Sequence, residues 1–266
     1  MLPHWKEAYV TVNGAEFHYV RTGNNTQQPL LLLHGFSDNG LCWLPVARDL
    51  EDQFDVILPD ARGHGRSTRV QPDEIIDNAA DAAGLIAALE LQKPIVGGHS
   101  MGGLAATELG ARYPDLVKSL ILEDPAWIDP SPDEVPLAEN PFFSWLLNMD
   151  GISSDEIIEQ GKINNPNWPD AEFPAWAESK RQLDKNIFPR VNVRKPWREF
   201  VAALTVPALL VTADVEKGAI VTPAAAQEAT DLSPLLQVAQ VPDAGHNIRR
   251  ENYLAFMQAV QAFLNQ

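Results

Sequence analysis

Residues 94–104 read Pro-Ile-Val-Gly-Gly-His-Ser-Met-Gly-Gly-Leu. A serine hydroxyl is a poor nucleophile at neutral pH. It becomes one when a base lies within hydrogen-bond reach and when fixed donors meet the oxyanion it creates. Ile95 to Gly98 are apolar or small, as in a buried strand. Leu104, Ala105, Ala106, Leu109 and Ala111 then follow at helical spacing. Ser100 therefore stands at a sharp strand-to-helix turn, in a Gly-x-Ser-x-Gly setting. Gly98, Gly102 and Gly103 leave room for strand and helix to approach. The turn lifts the hydroxyl clear of the sheet, and the helix N-terminus favours developing negative charge. One oxyanion donor is the backbone N–H of the next residue, Met101.

The surrounding chain supplies a frame for such a turn. Strand-like runs at 9–12 and 16–20 flank Asn13-Gly14 and read as a hairpin. Leu30 to Leu33, Phe54 to Leu58 and Ser119 to Leu122 are short apolar runs of the kind buried in parallel sheets. Helices are expected at 41–50, from about 72 to 91 with Ile75 and Ile76 on the apolar face, and at 253–263. Strands recur at 208–212 and 235–241, and Thr222-Pro223 reads as a helix start with Thr222 as N-cap. The alternation implies an α/β fold, with helices on both faces of a mostly parallel sheet. Residues 127–196 differ in character, being rich in Pro, with Trp127, Trp145, Trp168 and Trp176 and with apolar residues at helical spacing. They read as a helical cap inserted into a core made of 1–126 and 197–266. Pro132 and Pro136 fall inside that cap.

Bulk properties narrow the function. The chain has 266 residues, a net charge of −16 and 45% hydrophobic residues. This suits one large domain with an ample core. The acidic balance argues against nucleic acid and against an anionic membrane as partners. A single cysteine, Cys42, permits no internal disulfide, so the fold has no need of an oxidising compartment. The first residues carry no basic and apolar signal pattern, and no apolar run is long enough to span a bilayer. A cytoplasmic protein is expected, as a monomer or homodimer. No metal cluster, Walker loop or dinucleotide fingerprint is present in the sequence, so no cofactor and no metal are expected.

Four segments together carry a resemblance: His34-Gly35-Phe36, Asp60-Ala61-Arg62-Gly63-His64-Gly65-Arg66-Ser67, Gly98 to Gly103 around Ser100, and Gly245-His246. On these the chain resembles the α/β-hydrolase fold family over nearly its whole length outside the cap. The resemblance implies an eight-stranded, mostly parallel sheet flanked by helices, with the reactive groups at the carboxyl ends of strands. It makes Ser100 the nucleophile and His246 the base, and it puts the second oxyanion donor at Phe36. His18 then reads as a strand-face residue, and His34 and His64 as turn-shaping ones. Asp60 and Arg62 are expected to pair and to brace their loop. For the acid the resemblance favours Asp214, in the loop after the penultimate strand. Glu123 is the main alternative, at the end of the strand after the nucleophile helix, and Glu216 and Asp124 stay open behind it.

With a serine at the elbow, acyl transfer is the default chemistry. The expected substrate is a small, largely apolar ester or lactone, with Trp127, Phe143 and Trp145 of the cap lining its cavity. Carbon–carbon bond hydrolases and cofactor-free perhydrolases use the same machinery and stay open as alternatives. A small-molecule receptor with weak hydrolase activity is an alternative of another class.

Overall fold

The computed structural model describes residues 4–23, 26–130, 139–190 and 195–266. Residues 1–3, Asn24 and Asn25 of the polar loop, and the cap residues at 131–138 and 191–194, with Pro132 and Pro136 among them, lie outside the described residues.

The hairpin forms as the sequence implies. β1 (Lys6–Val12) and β2 (Ala15–Arg21) pair antiparallel around Asn13 and Gly14, whose φ values of 50° and 77° match the natural twist of a two-residue turn. β3 (Gln28–Leu33), β4 (Phe54–Pro59), β5 (Ile95–His99), β6 (Ser119–Glu123), β7 (Ala208–Thr212) and β8 (Leu236–Gln240) complete one sheet. Its order is β1-β2-β4-β3-β5-β6-β7-β8. Only the β1–β2 and β2–β4 pairs are antiparallel. Every residue of β4, β5, β6 and β7 is buried, which is why apolar residues dominate these strands without alternation; the buried Asp55 of β4 is paired with Arg21.

Helices cover both faces. α1 (Leu44–Leu50) and α10 (Tyr253–Leu264) pack on one face through Val46, Leu50, Phe256 and Val260. α2 (Asn78–Ala88), α3 (Met101–Arg112), α7 (Trp197–Ala202) and α8 (Pro223–Leu232) cover the other through Ile86, Leu109, Val201 and Ala229. Thr222 caps α8 by accepting the Ala225 N–H at 3.1 Å. α2 is shorter than the pattern implies. Asp77 caps it, accepting the Ala80 N–H at 2.9 Å, so the helix starts at Asn78 and Ile75 is left exposed outside it.

Between β6 and α7 the chain builds α4 (Pro141–Leu147), α5 (Ser154–Asn164) and α6 (Phe173–Arg181). Ser153 and Glu156 form a reciprocal capping box that starts α5. These helices share a core in which Leu146, Ile157, Trp168, Phe173 and Trp176 are buried, and Val70 of the chain before α2 joins it. One more helical turn, α9 (Ile248–Glu251), follows His246 directly. Among the described residues no helix is long and apolar enough to cross a membrane.

Candidate active site

Ser100 ends β5 and opens α3 with φ 53° and ψ −112°, a strained conformation for a residue with a side chain. Crowding fixes it there. A Cβ on Gly98 would sit 2.2 Å from the Gly102 carbonyl oxygen, and one on Gly102 would sit 2.3 Å from the Leu33 carbonyl oxygen. Strand and helix can approach this closely only with glycine at both positions. The Ser100 N–H donates to the Glu123 carbonyl at 3.1 Å, and the Ala126 N–H donates to the Ser100 carbonyl at 3.0 Å. The elbow is thereby laced to the end of β6, and Asp124 lies between those two partners.

Asp124 is fully buried and is the carboxylate that reaches the histidine. Its Oδ2 lies 2.6 Å from His246 Nδ1. The Ile220 N–H donates to Oδ2 at 2.8 Å and the Val221 N–H to Oδ1 at 2.9 Å. Asp124 has φ 36°, so this orientation is held against backbone strain. With Nδ1 bound to Asp124, Nε2 of His246 is the nitrogen left to exchange a proton.

Neither expected acid takes this position. Asp214 accepts the Asp243 N–H at 2.9 Å and donates its own amide to Ala244, so it braces the loop that carries His246. Glu123 accepts Arg249 Nη1 at 2.7 Å and the Arg249 backbone N–H at 2.9 Å, away from the histidine ring. Glu216 is exposed. Asp60 and Arg62 do not pair with each other either. Asp60 accepts the Gly40 and Arg66 amides and bonds His18 at 2.8 Å. Arg62 forms a bidentate pair with Asp81 and a further bond to Glu74. Both still serve as scaffold. His34 donates from Nδ1 to the Gly35 carbonyl and accepts the Ala61 N–H at Nε2, shaping the turn beside the elbow.

Gly35 passes close to the nucleophile, since a Cβ there would sit 3.4 Å from the Ser100 Cβ. Phe36 follows it, and among the described residues no partner is found for the Phe36 or the Met101 N–H. His99 is wedged between this loop and the histidine loop. Its Nε2 lies 2.9 Å from the His246 carbonyl oxygen, which can only accept, so Nε2 carries the proton. Its ring lies 4.6 Å from that of His246, centre to centre. Burial, reinforced by His246 and Arg249, holds His99 well below the ordinary imidazole range, so it stays neutral.

The three aromatic residues expected at the substrate cavity separate. Phe143 packs on Phe36 with ring centres 5.7 Å apart, and Phe188 joins them at 5.5 Å from Phe36. Trp145 stacks on Trp176 at 5.7 Å, within the core of the inserted helices. Trp127 is buried in a different cluster from that wall. It stacks flat on Trp197 at 5.0 Å and donates to Thr107 Oγ1 of α3, so it belongs to the sheet domain.

A group of buried charges behind the site has no local signal in the sequence. Asp38, two residues past Phe36, bonds Lys180 of α6 through Oδ1 at 2.9 Å and Arg250 of α9 through Oδ2 at 2.9 Å. Glu172 takes Arg250 Nε at 3.2 Å, and Glu123 takes Arg249. Cys42 lies beside them, and burial pushes its thiol up to about 11.

A family model described as the alpha/beta hydrolase fold matches residues 28–161. Lipase 1 of Psychrobacter immobilis is 30% identical over 94% of this chain and 83% of its own length. The 2-(acetamidomethylene)succinate hydrolase of Mesorhizobium japonicum is 30% identical over 89% of this chain and 87% of its own. The solved structure of an N-formylmaleamic acid deformylase from Pseudomonas putida superimposes with a TM-score of 0.81, at 25% identity over 96% of this chain and all of that one. The chain belongs to the α/β-hydrolase fold family.

Proposed function

We propose that this protein is a serine hydrolase that cleaves a small, largely apolar carboxylic ester or lactone through an acyl-enzyme, with Ser100, His246 and Asp124 as its triad. The observation that carries the reading is the 2.6 Å contact between His246 Nδ1 and Asp124 Oδ2, at the strand end to which the Ser100 backbone is bonded. Nε2 of His246 accepts the Ser100 proton as Oγ attacks the carbonyl carbon, and then gives it to the departing alkoxide. Water, deprotonated by the same nitrogen, attacks the acyl-enzyme, and Ser100 leaves with the proton returned. Asp124 stabilises the imidazolium in both halves. The Phe36 and Met101 amides receive the oxyanion.

The surroundings support an uncharged acyl group. Phe36, Phe143 and Phe188 form an aromatic wall beside the oxyanion turn. Lys180, Arg249 and Arg250, buried behind it, are each paired with Asp38, Glu123 or Glu172, which leaves none of the three for a substrate carboxylate. This favours the ester chemistry named in the lipase relative over the dicarboxylate named in the succinate hydrolase. The helices between β6 and α7 act as the cap that closes over this wall. A buried lone cysteine and the absence of a disulfide requirement support a cytoplasmic setting.

Wild type and Ser100→Ala, compared on short-chain nitrophenyl esters, lactones and amides, test the reading. Turnover of the esters with an acyl burst, covalent labelling by a fluorophosphonate, and loss of both in Ser100→Ala are the expected results. A folded wild type that neither turns over nor labels is a binding protein, and the reading fails.

A further inference from the structure

The turn that carries Phe36 is held from above by an inserted helix. The Asp38 N–H donates to the Gly35 carbonyl at 3.1 Å and closes the turn. Within it Ser37 has φ 64°, a left-handed conformation that a non-glycine residue adopts only at a cost. The Lys180 ammonium braces that residue. It donates to the Ser37 carbonyl at 2.9 Å, to Ser37 Oγ at 3.0 Å and to Asp38 Oδ1 at 2.9 Å. The three shortest bonds of the ammonium all go to this one turn, with Ser179 Oγ of α6 a longer fourth contact at 3.4 Å, and Lys180, Ser37 and Asp38 are all buried. The Trp176 ring lies 5.1 Å from the same nitrogen.

Stability does not explain this arrangement. A buried ion pair gains little over well-packed apolar side chains of the same volume. Burial works against both charges. It lowers the hold of Lys180 on its proton, although Asp38 opposes the loss. Burial likewise resists the charge on Asp38, but Arg250, Lys180 and Arg249 outweigh it and keep that carboxyl well below the ordinary range. The charges persist because the geometry uses them. Asp38 is bonded at one oxygen to α6 and at the other to Arg250, four residues past His246. One carboxylate therefore ties the oxyanion turn to the helix above it and to the loop bearing the base.

We propose that Lys180 is a positioning residue for the oxyanion turn: an ammonium supplied by the inserted helices holds Ser37 and Asp38 so that the Phe36 N–H is aimed at the oxyanion, and catalysis therefore depends on α6 being seated. This rests on the serine-hydrolase reading given above. Lys180 touches neither substrate nor nucleophile and acts through the backbone of the turn. Misaligning a donor costs less than deleting one, and deletion of an oxyanion donor costs about 10²–10³ in turnover.

The test uses the full chain, with Lys180→Met compared to wild type on a short-chain nitrophenyl ester and on a trifluoromethyl ketone. The ketone binds by becoming an oxyanion, so its affinity reports the hole directly. Lys180→Met is expected to lower kcat by about tenfold or more, keep KM within about twofold, and weaken the ketone by a similar factor. Lys185→Met, which removes an exposed pair with Asp150, is expected to change neither. An unchanged kcat in folded Lys180→Met, or a lower kcat with the ketone affinity intact, overturns the proposal. Should Lys180→Met fail to fold, Ser37→Ala decides by the same readouts, because it removes one acceptor of the ammonium and leaves every charge in place. A fall of a few-fold in kcat and in ketone affinity supports the proposal, and no change overturns it. A wild type that is inert toward ester and fluorophosphonate instead removes the hydrolase reading itself, and this proposal with it.

Discussion

His246 Nδ1 lies 2.6 Å from Asp124 Oδ2, and the carboxylate that holds it is itself held by the amides of Ile220 and Val221. Those amides belong to the loop after β7, the segment where the family resemblance favours the acid. In this chain that loop supplies donors, and the carboxylate comes from the end of β6. Three segments far apart in sequence therefore meet at one fully buried side chain.

Asp124→Asn is expected to lower kcat by a factor on the order of 10³–10⁴ with a much smaller change in KM, because the imidazolium loses its counter-charge and the ring its tautomer. Asp214→Asn, which disturbs a bond to the Asp243 amide and a 3.9 Å ion pair with Lys217, is expected to stay within about tenfold of wild type. Steady-state kinetics of the two purified variants give the answer. A severe loss in Asp214→Asn beside a mild one in Asp124→Asn would return the acid to the β7 loop.

The contrast shows what local sequence can and cannot carry. Ser100 sits in a pentapeptide whose glycines are demanded by contacts within about five residues and by one strand, so its setting is written in adjacent letters. The sheet was legible for a similar reason, since fully buried strands are dominated by apolar residues. Glu123 and Asp124 are adjacent carboxylates at one strand end, and which of them turns to the histidine depends on backbone strain at Asp124 and on partners about a hundred residues away. Lys180 gave no signal at all. A lysine near the end of an amphipathic helix reads as solvated, and only the packing of α6 onto the Ser37 turn makes it buried.

Glu123 has a structural assignment that kinetics and stability separate. It is the carboxylate partner of Arg249, and both side chains are almost completely buried. Glu123→Gln leaves the buried Arg249 guanidinium with only Asp38, 3.5 Å away, as counter-charge, a change that costs up to roughly 3–5 kcal/mol. The variant is expected to unfold at markedly lower urea, while the kcat of its folded fraction stays within about tenfold of wild type. A catalytic collapse at unchanged stability would contradict this assignment.

Stability should decline toward acid because of three buried imidazoles. Burial lowers His34, pushes His64 down to about 3 and holds His99 well below its ordinary range. In the unfolded chain each binds its proton near the ordinary value of about 6.5. Below that pH the unfolded state takes up protons that the folded state refuses, so stability falls as pH drops from about 6.5 and keeps falling toward about 3. Above it all three are neutral in both states and contribute no slope. At about pH 4.5 His64 alone removes on the order of 2–3 kcal/mol. Urea midpoints measured between about pH 7.5 and 4.5 should fall steadily once pH passes below about 6.5. A flat profile across that range would show that these rings are protonated in the folded protein.

Phe143 and Trp127 were expected to share a role, and the structure gives them different ones, which a pair of truncations can tell apart. Phe143 comes from α4 and meets Phe36 and Phe188 beside the oxyanion turn, half-buried rather than sealed in. Phe143→Ala opens space at the wall without emptying a packed core. It is expected to leave stability within about 1 kcal/mol and to improve kcat/KM for bulkier acyl groups relative to acetyl, since a pocket discriminates by roughly 1–3 kcal/mol per methylene that it accepts or refuses. Trp127 is stacked on Trp197 and bonded to Thr107 in the layer behind α3, where its loss leaves a cavity. Trp127→Ala is expected to cost about 3–5 kcal/mol of stability. Its ratio of kcat/KM across acyl chain lengths should match wild type, because the indole packs on Trp197 and Thr107 and not in the cluster that holds Phe143 and Phe188. Chain-length profiles of the two variants, read beside their urea midpoints, check both assignments. A shifted profile in Trp127→Ala with wild-type stability would place that indole in the acyl site, and an unshifted one in Phe143→Ala would remove the wall from substrate selection.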